Sequence, residues 1–152
     1  VFIYRKLAAL VLAARPRDFD RVGTMAKYRI LVVDDEQDIR DVTCLLLGKS
    51  GYEAISIDGA QAALDAMEKE PYDLVLTDML MPDMDGVELI TEIRRRDPAQ
   101  VIVAMSGGGH APKESYLQIA KLYGVQGVLS KPFNQEKLFE ALIECGAPRN
   151  EV

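Results

Sequence analysis

The sequence predicts a doubly wound α/β fold, a five-stranded parallel sheet covered by helices on both faces, and three observations predict it. Short β-rich apolar runs alternate five times with segments of helical periodicity. The first run, YRILVV, is continuously apolar, as in a strand buried on both faces. The alternation is strict, which implies parallel strands joined by right-handed crossovers.

The first strand covers 28–33 and runs into Asp34 and Asp35. Ile39, Val42, Leu45 and Leu46 keep near-helical spacing over 38–49, and Gly51 ends that helix. Residues 53–57 alternate like a second strand, and 60–69 form an alanine-rich helix stopped before Pro71. The third strand, DLVLT over 73–77, leads into Asp78 and a turn-rich loop over 81–86. A helix over 87–96 is closed by Asp97 and Pro98. The fourth strand, VIVAM over 101–105, precedes Ser106 and the glycines Gly107, Gly108 and Gly109. A fourth helix covers 113–123, a fifth strand 125–129, and a fifth helix 134–144 with Asn134 as its N-cap.

These elements define one domain over 27–147, which suits a chain of 152 residues. Residues 1–26 form an extension outside the core: 1–14 are apolar apart from Arg5 and Lys6, and 15–24 are charged and turn-rich. The apolar run 7–14 is at the short limit for a signal peptide and far too short to cross a membrane. The extension reads as a nonessential stretch ahead of a natural start at Met25, or as a short helix that packs on a partner. Residues 148–152 are read as a tail, and the core ends too near it to leave room for an output domain.

Composition excludes several function classes. A net charge of −6 with scattered basic residues gives no electrostatic footprint for nucleic acid, so direct DNA binding is not expected. Cys44 and Cys145 lie far apart, with no Cys or His at metal-ligand spacing, which argues against zinc and against a disulfide framework. They read as buried thiols in a reducing cytosol, so a cytoplasmic location is expected.

The chemistry collects where such folds build their sites, at the carboxyl ends of the strands. Asp34 and Asp35 end the first strand, Asp78 the third, Ser106 the fourth and Lys131 the fifth. With strand order 2-1-3-4-5 the crevice opens between the first and third strands, so the three carboxylates converge. Crowded carboxylates repel, and a hard divalent cation such as Mg²⁺ neutralises them. Asp35 and Asp78 are the preferred direct ligands, Asp34 binds through water, and the Leu80 backbone carbonyl completes the protein's share. Asp78, ahead of the loop, is the candidate nucleophile toward a phosphoryl donor. Lys131 would place a positive charge beside the transferring oxygens, Ser106 would donate a hydrogen bond, and Gly107 lets the backbone approach the same group.

Each residue also has a plainer role. Asp34 and Asp35 could cap the next helix, Asp78 and Asp85 could serve as turn residues, and Ser106 and Lys131 could be a loop former and a solvated lysine. His110 reads as surface, and Met79, Met81 and Met84 as packing residues. The plainer roles leave one thing unexplained: four such residues fall at successive strand ends on one rim.

The blocks VVDDE, LTDMLMPDMDG, AMSGGG and LSKPF, in this order and spacing, closely resemble the response regulator receiver domain family over about 27–147. The resemblance implies a flavodoxin-like (βα)5 fold and two-component phosphorelay signalling. It implies that Asp34 and Asp35 bind Mg²⁺ and that Asp78 takes phosphoryl from a sensor histidine kinase, a phosphotransfer protein or a small phosphodonor. It also implies that Ser106 and Lys131 sense the modification and that the Lys131–Pro132 peptide is cis. Phosphorylation adds roughly −1.5 to −2 charge, which would bias the face of the fourth helix, fifth strand and fifth helix toward a protein target. Self-association is left open, and the chain is not expected to turn over a separate substrate.

Two departures stand out. Val128 occupies the position, three residues before Lys131, where many receivers carry an aromatic ring that swings inward. The stretch from Ser106 to Lys131 is also somewhat long, so reordering of the glycine-rich loop is expected to replace the ring. The alternatives are a pseudo-receiver that binds partners without phosphorylation, and a Mg²⁺-dependent phosphatase. The phosphatase usually needs a general acid two residues beyond its nucleophile, where this chain has Leu80. No G-x-G-x-x-G comes after the first strand, which argues against a flavin or dinucleotide carrier.

Overall fold

The computed structural model describes residues 27–107 and 113–150. Its elements are β1 Arg29–Val33, α1 Gln37–Lys49, β2 Glu53–Ile57, α2 Ala60–Lys69, β3 Leu74–Asp78, α3 Gly86–Arg96, β4 Val101–Ser106, α4 Lys113–Leu122, β5 Gly127–Ser130 and α5 Gln135–Glu144. All strand pairs are parallel, in the order β2-β1-β3-β4-β5. The five carboxyl ends therefore open on one rim, and the order reverses beside β1, as the fold class requires.

The strand period of two sorts the core into two layers. Leu31, Val33 and Val75 pack with Ala63, Leu64, Leu89, Ile90 and Ile93 on the α2 and α3 side. Ile30, Val32, Leu74 and Leu76 pack with Leu47, Leu138 and Leu142 on the α1 and α5 side. β3, at the centre of the sheet, is buried at every position. A continuous apolar run is what such a strand needs, because neither face meets water.

Element ends differ from the sequence reading where side chains and backbone obey different rules. Asp78 and Ser106 lie inside their strands, paired with Met105 and Ser130, because ladder bonds use backbone groups whatever the side chain. β5 begins at Gly127, not at residue 125. Gly124 turns the chain in the left-handed region at φ 77°, and Val125 packs into the α2 and α3 layer. The Gln126 side chain then accepts from Ile102 N at 2.8 Å. α3 starts one residue earlier than expected because Asp85 caps it, accepting from Glu88 N at 2.9 Å. Asn134 caps α5 in the same way, accepting from Lys137 N.

Cys44 and Cys145 are free but only half-buried, a correction to the reading of both as buried. Burial still pushes both thiols above their ordinary pKa. The segment after α5 lies against the domain: Tyr52 Oη donates to the Pro148 carbonyl at 2.6 Å and Asn150 Nδ2 to the Ser50 carbonyl at 2.9 Å. The amino-terminal extension, Gly108, Gly109 and His110 fall outside the described residues. Among the described residues no helix is long and apolar enough to cross a membrane.

Candidate functional site

The rim gathers the residues that the sequence singled out. Asp34, just past β1, is fully buried. Its N–H donates to Ile57 O at 3.2 Å, which ties it to the end of β2. Its Oδ1 accepts from Glu36 N at 3.0 Å, and its Oδ2 from Lys131 Nζ at 2.5 Å. Glu36, not Asp34 or Asp35, is the N-cap of α1, and its side chain makes no capping bond. Asp35 stays exposed. The simple capping role for the acid pair therefore fails.

Asp78 closes β3 almost out of solvent. Its Oδ1 accepts from Met79 N at 2.9 Å, and its Oδ2 lies 3.5 Å from Lys131 Nζ. Burial pushes its carboxyl up to about 6, with the Asp34 charge adding to the rise. Lys131 and the N–H groups of Leu80 and Met79 oppose that rise without cancelling it. Burial alone would lower the Lys131 ammonium, but its hydrogen bond to Asp34 and the charges of Asp78, Asp34 and Glu36 hold it above its ordinary value. One cation thus serves two carboxylates.

Ser106 is fully buried, and its Oγ has no hydrogen-bond partner among the described residues. A buried hydroxyl left unpaired costs about 1–3 kcal/mol. The carbonyl of Ser106 accepts from Lys131 N at 2.8 Å, which holds the ends of β4 and β5 together. A Cβ on Gly107 would lie 2.1 Å from the Cβ of Lys131, so the glycine makes room for the lysine stem. The Lys131–Pro132 peptide is cis. Leu80 is half-buried in the loop after β3, and Met79 and Met81 beside it are buried in the core.

Asp34, Asp35 and Asp78 each offer an oxygen, and these atoms lie within 4.8 Å of one another. Such an all-oxygen donor set suits a hard divalent cation such as Mg²⁺. The Ser106 hydroxyl, unpaired among the described residues, and the Lys131 ammonium suit the oxygens of a phosphoryl group. The residues present therefore fit both groups.

Comparison with known proteins places the chain in a family. The family model for the response regulator receiver domain matches residues 30–143. The chain belongs to the response regulator receiver domain family. This receiver domain is 33% identical over 118 residues to the response regulator receiver protein CpdR of Brucella abortus, covering 72% of the chain and 89% of CpdR. It is 31% identical over 126 residues to the response regulator protein PilR of Pseudomonas aeruginosa, covering 83% of the chain but only 28% of PilR. It superposes on the chemotaxis protein CheY4 of Vibrio cholerae with a TM-score of 0.70 and 30% identity, covering 79% of the chain and 99% of CheY4.

Three contacts at the receiver site escaped the sequence. Arg40 Nη1 donates to the Asp34 carbonyl at 2.7 Å, Thr77 Oγ1 donates to the Asp78 carbonyl at 3.0 Å, and Lys131 pairs with Asp34 across 97 residues. Arg40, in the first turns after the acid pair, and Thr77, next to Asp78 in the chain, are local contacts; the Lys131–Asp34 pair depends on the folded rim. Val128 is half-buried on β5. The loop expected to reorder in place of an aromatic ring falls largely on 108–112, outside the described residues.

Proposed function

We propose that this receiver domain takes a phosphoryl group onto Asp78 from a sensor histidine kinase or phosphotransfer protein, in a Mg²⁺-dependent reaction that switches its protein contacts. The observation that carries the reading is the pairing, on one rim, of a carboxylate beside Lys131 with a buried Ser106 hydroxyl that lacks a partner among the described residues.

Met79 N engages Asp78 Oδ1, which leaves Oδ2, on the Lys131 side, to attack the phosphorus. The new bond joins Oδ2 to phosphorus, and the bond from phosphorus to the donor atom breaks, its electron pair leaving with the donor. Lys131 meets the charge on the phosphoryl oxygens, and Ser106 Oγ–H donates to one of them. Asp35 and Asp78 would hold Mg²⁺ directly and Asp34 through water, with the Leu80 carbonyl as a further ligand. Bound there, the cation neutralises the acid cluster and polarises the phosphoryl group. Asp34 suits the outer role because both its oxygens already accept hydrogen bonds.

The added charge draws Lys131 and Ser106 toward Asp78 and biases the α4, β5 and α5 face, which meets the protein target. The exposed Ile119, Leu122 and Tyr123 at the end of α4 support that choice of face. The chain acts on itself and not on a separate substrate, works in the cytoplasm, and contacts neither DNA nor membrane directly.

The test is acyl-phosphate formation with acetyl phosphate and Mg²⁺. Wild type should label at one site, and Asp78→Asn should not label at all. Absence of labelling in wild type would instead favour a binding module that keeps the fold without the chemistry.

A further inference from the structure

α2 starts just after its N-cap Gly59, whose extended backbone carries no side chain to cap the helix. The first N–H groups of a helix need acceptors from somewhere. Here the acceptor comes from another loop: Asp83 Oδ2 accepts from Gln61 N at 3.1 Å. Burial would raise the Asp83 carboxyl, but the N–H groups of Gln61, Ala60, Asp83 and Met84 hold it below its ordinary value. The two positions also fit each other sterically. A Cβ on Gly59 would lie 3.0 Å from Asp83 Oδ2 and 3.3 Å from its Cγ, so the bare glycine leaves the carboxylate its place.

Asp83 sits mid-way along the loop after Asp78. The ends of that loop are already fixed. Met79 N donates to Met105 O at 2.9 Å, Gly86 N donates to Met79 O at 2.9 Å, and Asp85 caps α3. Between these anchors, Asp83 is the tie to the β2–α2 connection. On its other side that connection holds the acid-pair loop, since Ile57 O accepts from Asp34 N. The end of β2 and the start of α2 thus form a strut that touches both carboxylate-bearing loops from outside the crevice.

We propose that Asp83 is a positioning residue for the acceptor site: by closing the amino end of α2 from within the acceptor loop, it fixes that loop, and with it Leu80, at a set distance from the acid pair. The inference rests on the phosphoacceptor reading above, and wild-type Mg²⁺ binding and labelling test that reading separately. Asp83 touches neither metal nor phosphoryl group and acts through the loop. Its loss should therefore loosen the donor set while leaving every donor present.

The experiment measures Mg²⁺ affinity by calorimetric titration, together with the melting temperature, for wild type, Asp83→Ala and Asp83→Asn. Asp83→Ala should bind Mg²⁺ about tenfold more weakly, the lower end of losses when a group supporting metal ligands is removed. Asp83→Asn should keep wild-type affinity, because asparagine caps helices about as well as aspartate. Wild-type affinity in Asp83→Ala, whatever its melting temperature, overturns the proposal, as does an equal loss in both variants. Should Asp83→Ala not fold, Gly59→Ala crowds the same contact from the other side. Weakened Mg²⁺ binding there supports the proposal, and unchanged binding overturns it.

Discussion

Arg29 and Lys131 are both largely buried cations at the ends of strands, one at the amino pole of the sheet and the other on the carboxyl rim. Around Arg29 each guanidinium nitrogen has a partner. Its guanidinium meets Glu53 at 3.2 Å, Glu70 at 2.6 Å and the Pro71 carbonyl at 3.0 Å, and stacks 4.9 Å from the Tyr72 ring centre. Its backbone N–H donates to Asp73 at 2.7 Å. Around Lys131 the bonding is deficient: two buried carboxylates share one ammonium, and the buried Ser106 hydroxyl at the end of β4 has no partner among the described residues. The amino pole pairs its cation fully with acids and a carbonyl, whereas the rim leaves one ammonium between two carboxylates. A local rule broken at one end of a sheet and kept at the other is what a functional site looks like.

The sharpest way to break this comparison is to remove each cation. Lys131→Met leaves Asp34 buried beside Asp78 with no counter-charge, and should cost about 3–5 kcal/mol in metal-free buffer by denaturant unfolding. Acetyl phosphate labelling should be essentially lost as well. Unchanged stability would mean that the pair contributes nothing to the fold. Arg29→Met should cost less, about 1–2 kcal/mol, because its acidic partners are exposed and screened. Its labelling rate should match wild type; a slowed rate would show that the two poles are coupled.

Ser106→Ala sharpens the comparison from the opposite direction. Removing a buried hydroxyl that has no partner among the described residues should leave stability within about 1 kcal/mol of wild type or raise it slightly. Labelling should slow roughly 10²-fold if the hydroxyl donates to the transferring group. A large loss of stability would instead reveal a hydrogen bond made inside the free protein.

A further expected effect is a pH dependence. The Asp78 carboxyl is raised in the fold from 3.8 to about 6, so the native state favours its protonated form. This contribution to stability is fully present below the unfolded value and fades as pH rises through about 6. With EDTA present, wild type should lose stability over that window, and Asp78→Asn should show a flatter profile. Equal slopes in the two proteins would place the titrating group elsewhere.

Much of the fold was legible because it depends on patterns short enough to lie within single segments. The run YRILVV announced a strand buried on both faces, DLVLT announced a strand, and Asn134 announced its helix. The fifth strand was read too early because Val125 has the β-branched shape of a strand residue while serving as a core contact after the Gly124 turn. Asp85 looked like a turn residue and is a cap, since the two roles use the same side chain and differ only in whether a helix starts at the next residue. At the site, Asp34, Asp78, Ser106 and Lys131 were legible as strand-end polar residues. What each of them touches was not.

The sequence by itself determined the alternation of elements, the composition of the rim and the membership of the receiver family, because periodicity and motif spacing are properties of the chain. The tertiary structure decided how the charges are shared. Lys131 reaches Asp34 across 97 residues and stands 3.5 Å from Asp78, and Asp83 in the loop after Asp78 accepts from Gln61 N at the start of α2. Such pairings depend on distances of a few ångströms between strands that are remote in sequence, and only parallel pairing in the order β2-β1-β3-β4-β5 brings them together.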